Sequence, residues 1–153
     1  MKRLFEGNVF AQLALTRHLL PRFIDQGGAT VINMISATAF TNPPGKIGSG
    51  GWGVGYAMTK AAFERFAPLL MIEHGEDGIV TYNIDPGHVV TERQKAKRKD
   101  KEYTAFPSAP PEAIGKAIAW LVQDPSAAEE YGGKIVNAQR ETKRRNLLPG
   151  WPE

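Results

Sequence analysis

Ala29-Thr30-Val31-Ile32-Asn33-Met34-Ile35-Ser36 decides the fold. The stretch is short, apolar and β-branched at Val31 and Ile32. Apolar residues on consecutive positions predict a strand buried on both faces, as in a parallel sheet. Ile79 to Ile84 repeats the pattern and ends at Asp85-Pro86-Gly87. Ile135 to Ala138, after Gly132-Gly133, reads as a third short strand. Helical segments alternate with these strands. Residues 2–25 place Leu4, Phe5, Val9, Leu13, Leu20, Phe23 and Ile24 at spacings of mostly three and four, an amphipathic helix. Gly27-Gly28 should stop it, and Pro21 should kink or shorten it. Tyr56 to Glu73 reads as a second helix, bent at Pro68. Glu112 to Gln123 carries Ile114, Ala117, Ile118 and Leu121 on one face. Helix–strand alternation of this kind implies right-handed crossovers. The expected fold class is α/β, part of a doubly wound parallel sheet with about three strands and flanking helices.

The 153 residues fit one domain and can bury a real core. Hydrophobic residues are 42% and charged residues 23%, ordinary globular values. Without cysteine there are no disulfides or thiolate metal sites. That fits a reducing cytoplasm, the expected location. No apolar run reaches ~20 residues, so no membrane span is expected. The N-terminus lacks the apolar core and small-residue cleavage site of a signal peptide. Net charge is +3, with basic clusters at Arg93 to Lys101 and Arg140 to Arg145. A nucleic-acid reading needs a recognition motif as well, and none is found. The clusters read as a solvated helix and a basic tail, or as a positive surface near an anionic cofactor or substrate. Residues 1–139 are expected to form the folded portion and 140–153 a basic, proline-containing tail.

Tyr56 and Lys60 lie four apart, on one helix face. That pair suits hydride transfer to a carbonyl. The oxygen gains negative charge as hydride adds to carbon, and it needs a proton. A phenol can give one, but phenols ionise near pH 10, high for acid–base work near neutrality. An ammonium held close favours phenolate, and Lys60 can supply it. An oriented hydroxyl such as Ser36 can hydrogen-bond the same oxygen.

Four elements in order give this pair its meaning: Asn8 in an amphipathic segment, Ser36 ending a strand, Tyr56-x-x-x-Lys60 on a helix, and Pro86-Gly87-His88-Val89-Val90-Thr91 after the next strand. Together they resemble the catalytic half of the short-chain dehydrogenase/reductase family, from Asn8 to about Ala138. The resemblance implies a Rossmann-like fold and NAD or NADP as cofactor. It implies Tyr56 as acid/base and Lys60 as its partner and holder of the nicotinamide ribose. Ser36 becomes the donor to the substrate oxygen, and Asn8 the anchor of a proton-relay water. Pro86, Gly87, Val89 and Thr91 match the loop that packs against the nicotinamide. The substrate would be a small alcohol or carbonyl. Homo-oligomers would form through helices 2–25 and 56–73.

Several residues depart from the family. Twenty positions separate Ser36 from Tyr56, longer than usual, with the surplus in Asn42 to Gly55. That surplus reads either as an enlarged loop over the substrate side with Trp52 as a wall, or as a solvent loop with Trp52 covering the core. Asn137-Ala138-Gln139 stands where many members end Asp-Gly-Gly. Gly48-Ser49-Gly50-Gly51-Trp52-Gly53 satisfies Gly-x-Gly-x-x-Gly, but no strand leads directly into it, so loop flexibility is the simpler account. His18 and His74 read as surface residues, and His88 as a candidate to touch cofactor or substrate. Three scattered histidines make no metal site.

The glycine-rich turn that would hold a pyrophosphate is expected ahead of these elements and is not among them. The reading is therefore of a catalytic half, from a truncated frame or a longer protein. The strand at 29–36 would then present an open edge. Two functions follow: an NAD(P)-dependent oxidoreductase, or a non-catalytic remnant that acts as a helix-paired interaction module.

Overall fold

The computed structural model describes residues 1–92 and 108–151. The basic cluster Arg93 to Lys101 lies outside the described residues. Strands β1 (Ala29–Met34), β2 (Ile79–Asp85) and β3 (Ile135–Asn137) form one parallel sheet in the order β1-β2-β3. Ala29 pairs with Ile79, Met34 with Ile84, and Asn83 with Ile135. The α/β class and the parallel sheet are as expected.

The central strand β2 is two-faced. Tyr82 and Ile84 join the main core with Val136 of β3 and with Ala113, Ile114, Ala117, Trp120 and Leu121. Those last five lie on α5 (Pro111–Gln123). The opposite face carries buried Thr81, Asn83 and Asp85, which bond to backbone groups. Strand β1 is not buried on both faces as expected. Thr30 and Met34 are exposed, Val31 and Ile32 half-buried, and Asn33 alone buried. Among the described residues its one sheet partner is β2, so it lies at the sheet edge.

The first helical stretch is α1 (Lys2–Phe5), a π-helical turn over Glu6–Phe10, and α2 (Ala11–Asp25). Pro21 does not shorten it; α2 continues to Asp25. The carbonyl that Pro21 strands, at Arg17, belongs to an exposed residue that water can reach. Gly27 (φ +86) and Gly28 (φ +129) end the helix, donating to the Ile24 and Phe23 carbonyls. Gly28 and Gly78 then enter β1 and β2 in backbone contact, where a Cβ on either would meet the other turn's carbonyl.

The second helix divides into α3 (Val54–Glu64) and α4 (Phe66–His74) at Arg65, three residues before the proline blamed from sequence. Pro68 has no N–H for the Glu64 carbonyl, and the Asn83 amide donates to it instead, at 2.7 Å. The α3 segment bearing Tyr56 and Lys60 stays regular.

The basic tail needs correction. Residues 138–144 form α7 (Ala138–Arg144), capped by the Asn137 side chain. Leu147, Leu148 and Trp151 pack on the core. Glu141, 1% exposed, takes ion pairs from Arg140, Arg144 and Arg145. Charges that suggest solvent here close on one buried carboxylate, with Arg140 and Arg144 themselves still exposed. A helix unmarked by periodicity, α6 (Pro125–Tyr131), starts at Asp124, whose carboxylate accepts from the Ser126 amide. Among the described residues no helix is long and apolar enough to cross a membrane.

Candidate functional site

Tyr56 and Lys60 share a face of α3, and the Lys60 ammonium lies 5.8 Å from the Tyr56 ring centroid. Lys60 Nζ donates to the Met34 carbonyl at the end of β1, at 2.7 Å. That bond fixes the cation between helix and sheet. Burial holds the Lys60 ammonium below the usual lysine range. Tyr56 is 39% exposed.

Asn8 sits in the π-helical turn, and its amide donates to Thr59 Oγ1 at 3.0 Å. Thr59, wholly buried, donates in turn to the Tyr56 carbonyl at 2.8 Å. Asn8 is thus tied to the helix that carries the Tyr-Lys pair. Sequence reasoning missed Thr59. The available signal was a β-branched hydroxyl three residues past Tyr56, where it can reach back to that carbonyl.

Ser36 follows β1 and caps the 3-10 turn Ala37–Ala39, accepting weakly from Thr38 N at 3.4 Å. Asp85 was read only as a strand end, yet it joins two loops. Its Oδ1 accepts from Ala37 N and from Gly87 N, both at 3.1 Å. An Asp two residues before the accepted amide is an Asx turn, a signal legible in Asp-Pro-Gly. Gly87 (φ +62) completes the turn. Gln139 on α7 donates from one nitrogen to Pro86 O at 2.9 Å and His88 O at 3.0 Å. The departure at 137–139 therefore works on the Pro-Gly loop.

These residues border a cleft of about 520 Å³, lined by Ser36, Trp52, Asp85, Gly87, His88 and the glycine-rich loop. The 42–55 surplus walls this cleft, with Trp52 half-buried in it. Val89 bridges to Ala109, which steadies the loop beyond His88. Asn8 and Lys60 border a second groove of about 420 Å³, between α2 and the open edge of β1. The structure thus gathers Ser36 with Gly87 and His88, and Asn8 with Tyr56 and Lys60, while Tyr56 lines neither of these two cavities. Among the described residues no hydrogen bond joins the Tyr56 hydroxyl to Ser36. No three His, Cys, Asp or Glu residues among them converge on a metal position.

Comparison with known proteins supplies the family and the fold class. A short chain dehydrogenase family model matches residues 1–102. A short chain dehydrogenase of Monascus purpureus is 28% identical over 120 residues, covering 78% of this chain and 38% of that protein. A 3-oxoacyl-acyl-carrier-protein reductase from Brucella melitensis, solved with bound NAD, superposes with a TM-score of 0.69 at 20% identity. It is covered over 49% of its length and 89% of this chain's. ElxO with NADP bound gives a TM-score of 0.74 at 15% identity, over 90% of this chain and 55% of that one. At such identities the structures show the Rossmann-like fold. The chain spans about half the length of these structures and less of the Monascus relative. With the family model matching residues 1–102 of 153, this chain belongs to the short chain dehydrogenase family.

Proposed function

We propose that the chain is the catalytic portion of an NAD(P)-dependent oxidoreductase acting on an alcohol or carbonyl, with Tyr56 as acid/base. The carrying observation is the Tyr56–Lys60 pair on α3, with Lys60 fixed by the Met34 carbonyl and Asn8 bonded into the same helix. Two proteins of this fold, solved with NAD and NADP, support the cofactor class.

The residues present fit a nicotinamide. Gly87 lines the cleft on a turn pinned by Asp85 and Gln139, and Gln139 packs where a side chain at 87 would stand. By family resemblance, Lys60 would hold the ribose, and Pro86, Gly87, Val89 and Thr91 the nicotinamide. When bound, that group supplies or takes the hydride. The chain's own residues handle the proton. The Tyr56 hydroxyl protonates the substrate oxygen as negative charge develops there. The Lys60 ammonium, 5.8 Å from the Tyr56 ring centroid, sets a positive charge beside the reacting oxygens. Ser36 donates a hydrogen bond to the same oxygen, and Asn8 anchors the water that reprotonates Tyr56.

The test is calorimetric titration with NADH and NADPH, followed by carbonyl-dependent oxidation of whichever binds. Tyr56→Phe should abolish turnover and leave cofactor affinity unchanged. Turnover retained by that variant would refute Tyr56 as the acid. The proposed partner in assembly is a second copy of the chain, meeting it through Leu4, Phe10, Leu15, Met58 and Ile72, all exposed on the helices. Sedimentation at rising concentration reads that association; a monomer throughout would refute it.

A further inference from the structure

The cleft between Ser36 and the Pro-Gly turn has a polar group that the proton chemistry leaves unused. His88 lines the cleft, and both ring nitrogens are buried without a hydrogen-bond partner among the described residues. Buried polar atoms are nearly always paired, so such a ring calls for a partner. Its neighbours are already engaged. Asp85 Oδ1 holds two backbone amides, and the Gln139 nitrogen holds the carbonyls on either side of Gly87. A side-chain amide nitrogen has two protons, and Gln139 uses both on this turn. His88 therefore sits on a fixed backbone with both ring nitrogens unpaired but covered, so a hydroxyl that bonds one must displace the wall over it. A neutral imidazole offers one donor and one acceptor, and a hydroxyl can serve either. The other walls, Trp52, Pro44 and the glycine run, provide shape and little polarity.

The geometry points to a subsite for a hydroxyl that the substrate carries beyond its reacting carbon, with His88 as its hydrogen-bond partner and Gln139 positioning His88. The substrate class is a hydroxy-carbonyl or the matching diol. This inference rests on the oxidoreductase reading of the same cleft.

The test uses the whole chain, with cyclohexanone and 4-hydroxycyclohexanone as probes. Ring-nitrogen NMR signals of His88, identified by their loss in His88→Leu, are followed during titration. The hydroxylated ketone should shift them saturably, at about fivefold lower concentration than the plain ketone, the factor one net hydrogen bond gives. Silent His88 signals, or equal responses to both ketones, would overturn the subsite. Gln139→Ala should narrow the preference; an unchanged preference removes Gln139 from the proposal. NADH and NADPH oxidation with the same ketones separates the two readings. A selective His88 response without turnover sustains the subsite and counts against the oxidoreductase. Equal kcat/KM for both ketones, with His88 silent, does the reverse.

Discussion

Replacing Asn83 by Ala should strand a buried amide and a part-buried carbonyl at once. Asn83 Nδ2 donates to the Glu64 carbonyl at 2.7 Å, and its Oδ1 accepts from the Asn33 amide at 3.3 Å. Both asparagines are buried, and they face each other across the β1–β2 register. A buried polar group left unpaired costs about 1–3 kcal/mol. The short bond to Glu64 sits in the middle of that range and the longer one at its foot. The sum for Asn83→Ala is then about 3 kcal/mol. The carbonyl depends on Asn83 because Pro68 has no N–H to offer it. Pro68→Ala returns an N–H four residues on, so in that background Asn83→Ala should cost about 1–2 kcal/mol less. Urea unfolding of the four proteins, followed by tryptophan fluorescence and circular dichroism at equal m, measures the cycle. Additivity within about 0.5 kcal/mol would refute the idea that proline and asparagine are two halves of one device.

Other perturbations test the remaining contacts. Burial pushes the Glu141 carboxyl up, but hydrogen bonds from Tyr131 and Arg144, with the charge of Arg144, hold it below the ordinary glutamate value. Its stabilisation is therefore present above that value and lost as pH falls through the lowered one; Glu141→Gln should flatten this acid limb in urea midpoints taken from neutral pH downward, and an unchanged limb would count against these contacts. Lys60 is held below the usual lysine range by burial, so the unfolded chain binds its proton more readily. Stability should rise as pH climbs through that lowered value toward the ordinary one, and Lys60→Met should remove the rise; a rise of equal size in the variant would assign it elsewhere. Gly78→Ala forces a side chain onto φ +80 with its Cβ 2.5 Å from the Gly27 carbonyl. It should cost about 2 kcal/mol or more by thermal unfolding, and an unchanged midpoint would show that the two strand entries are not in close contact.

The sequence made the strands and the helical placement of Tyr56 and Lys60 more legible than the polar contacts around them. Tyr56 and Lys60 could be placed on one face because helical spacing alone puts them there. The strands could be found because their apolar runs are short and end at Gly or Pro. The rest failed for a common reason: hydrophobic pattern reports where apolar side chains go and is silent on polar groups that enter the core in pairs. Thr81, Asn83 and Asp85 occupy one buried face of β2, yet in sequence they look like dilution of a strand. Each is there to satisfy a backbone group: the Ala67 carbonyl, the Glu64 carbonyl, and the Ala37 and Gly87 amides. Glu141 misled in the same way, since its neighbours Arg140, Arg144 and Arg145 suggest solvent until the three are seen to close on one carboxylate. Burial of β1 was overestimated because a strand's own residues cannot say what covers its two faces; its open edge was expected. The polar groups that sequence overlooked also hold the candidate site together. Asp85 ties the Ser36 turn to the Pro-Gly loop, Thr59 ties Asn8 to α3, and Gln139 pins the carbonyls on either side of Gly87. A site assembled from loops and helix ends needs such links, because apolar packing has no direction and cannot set the angle of a turn. Substitutions at these linking residues should therefore act on the geometry of the cleft before they act on the core beneath it.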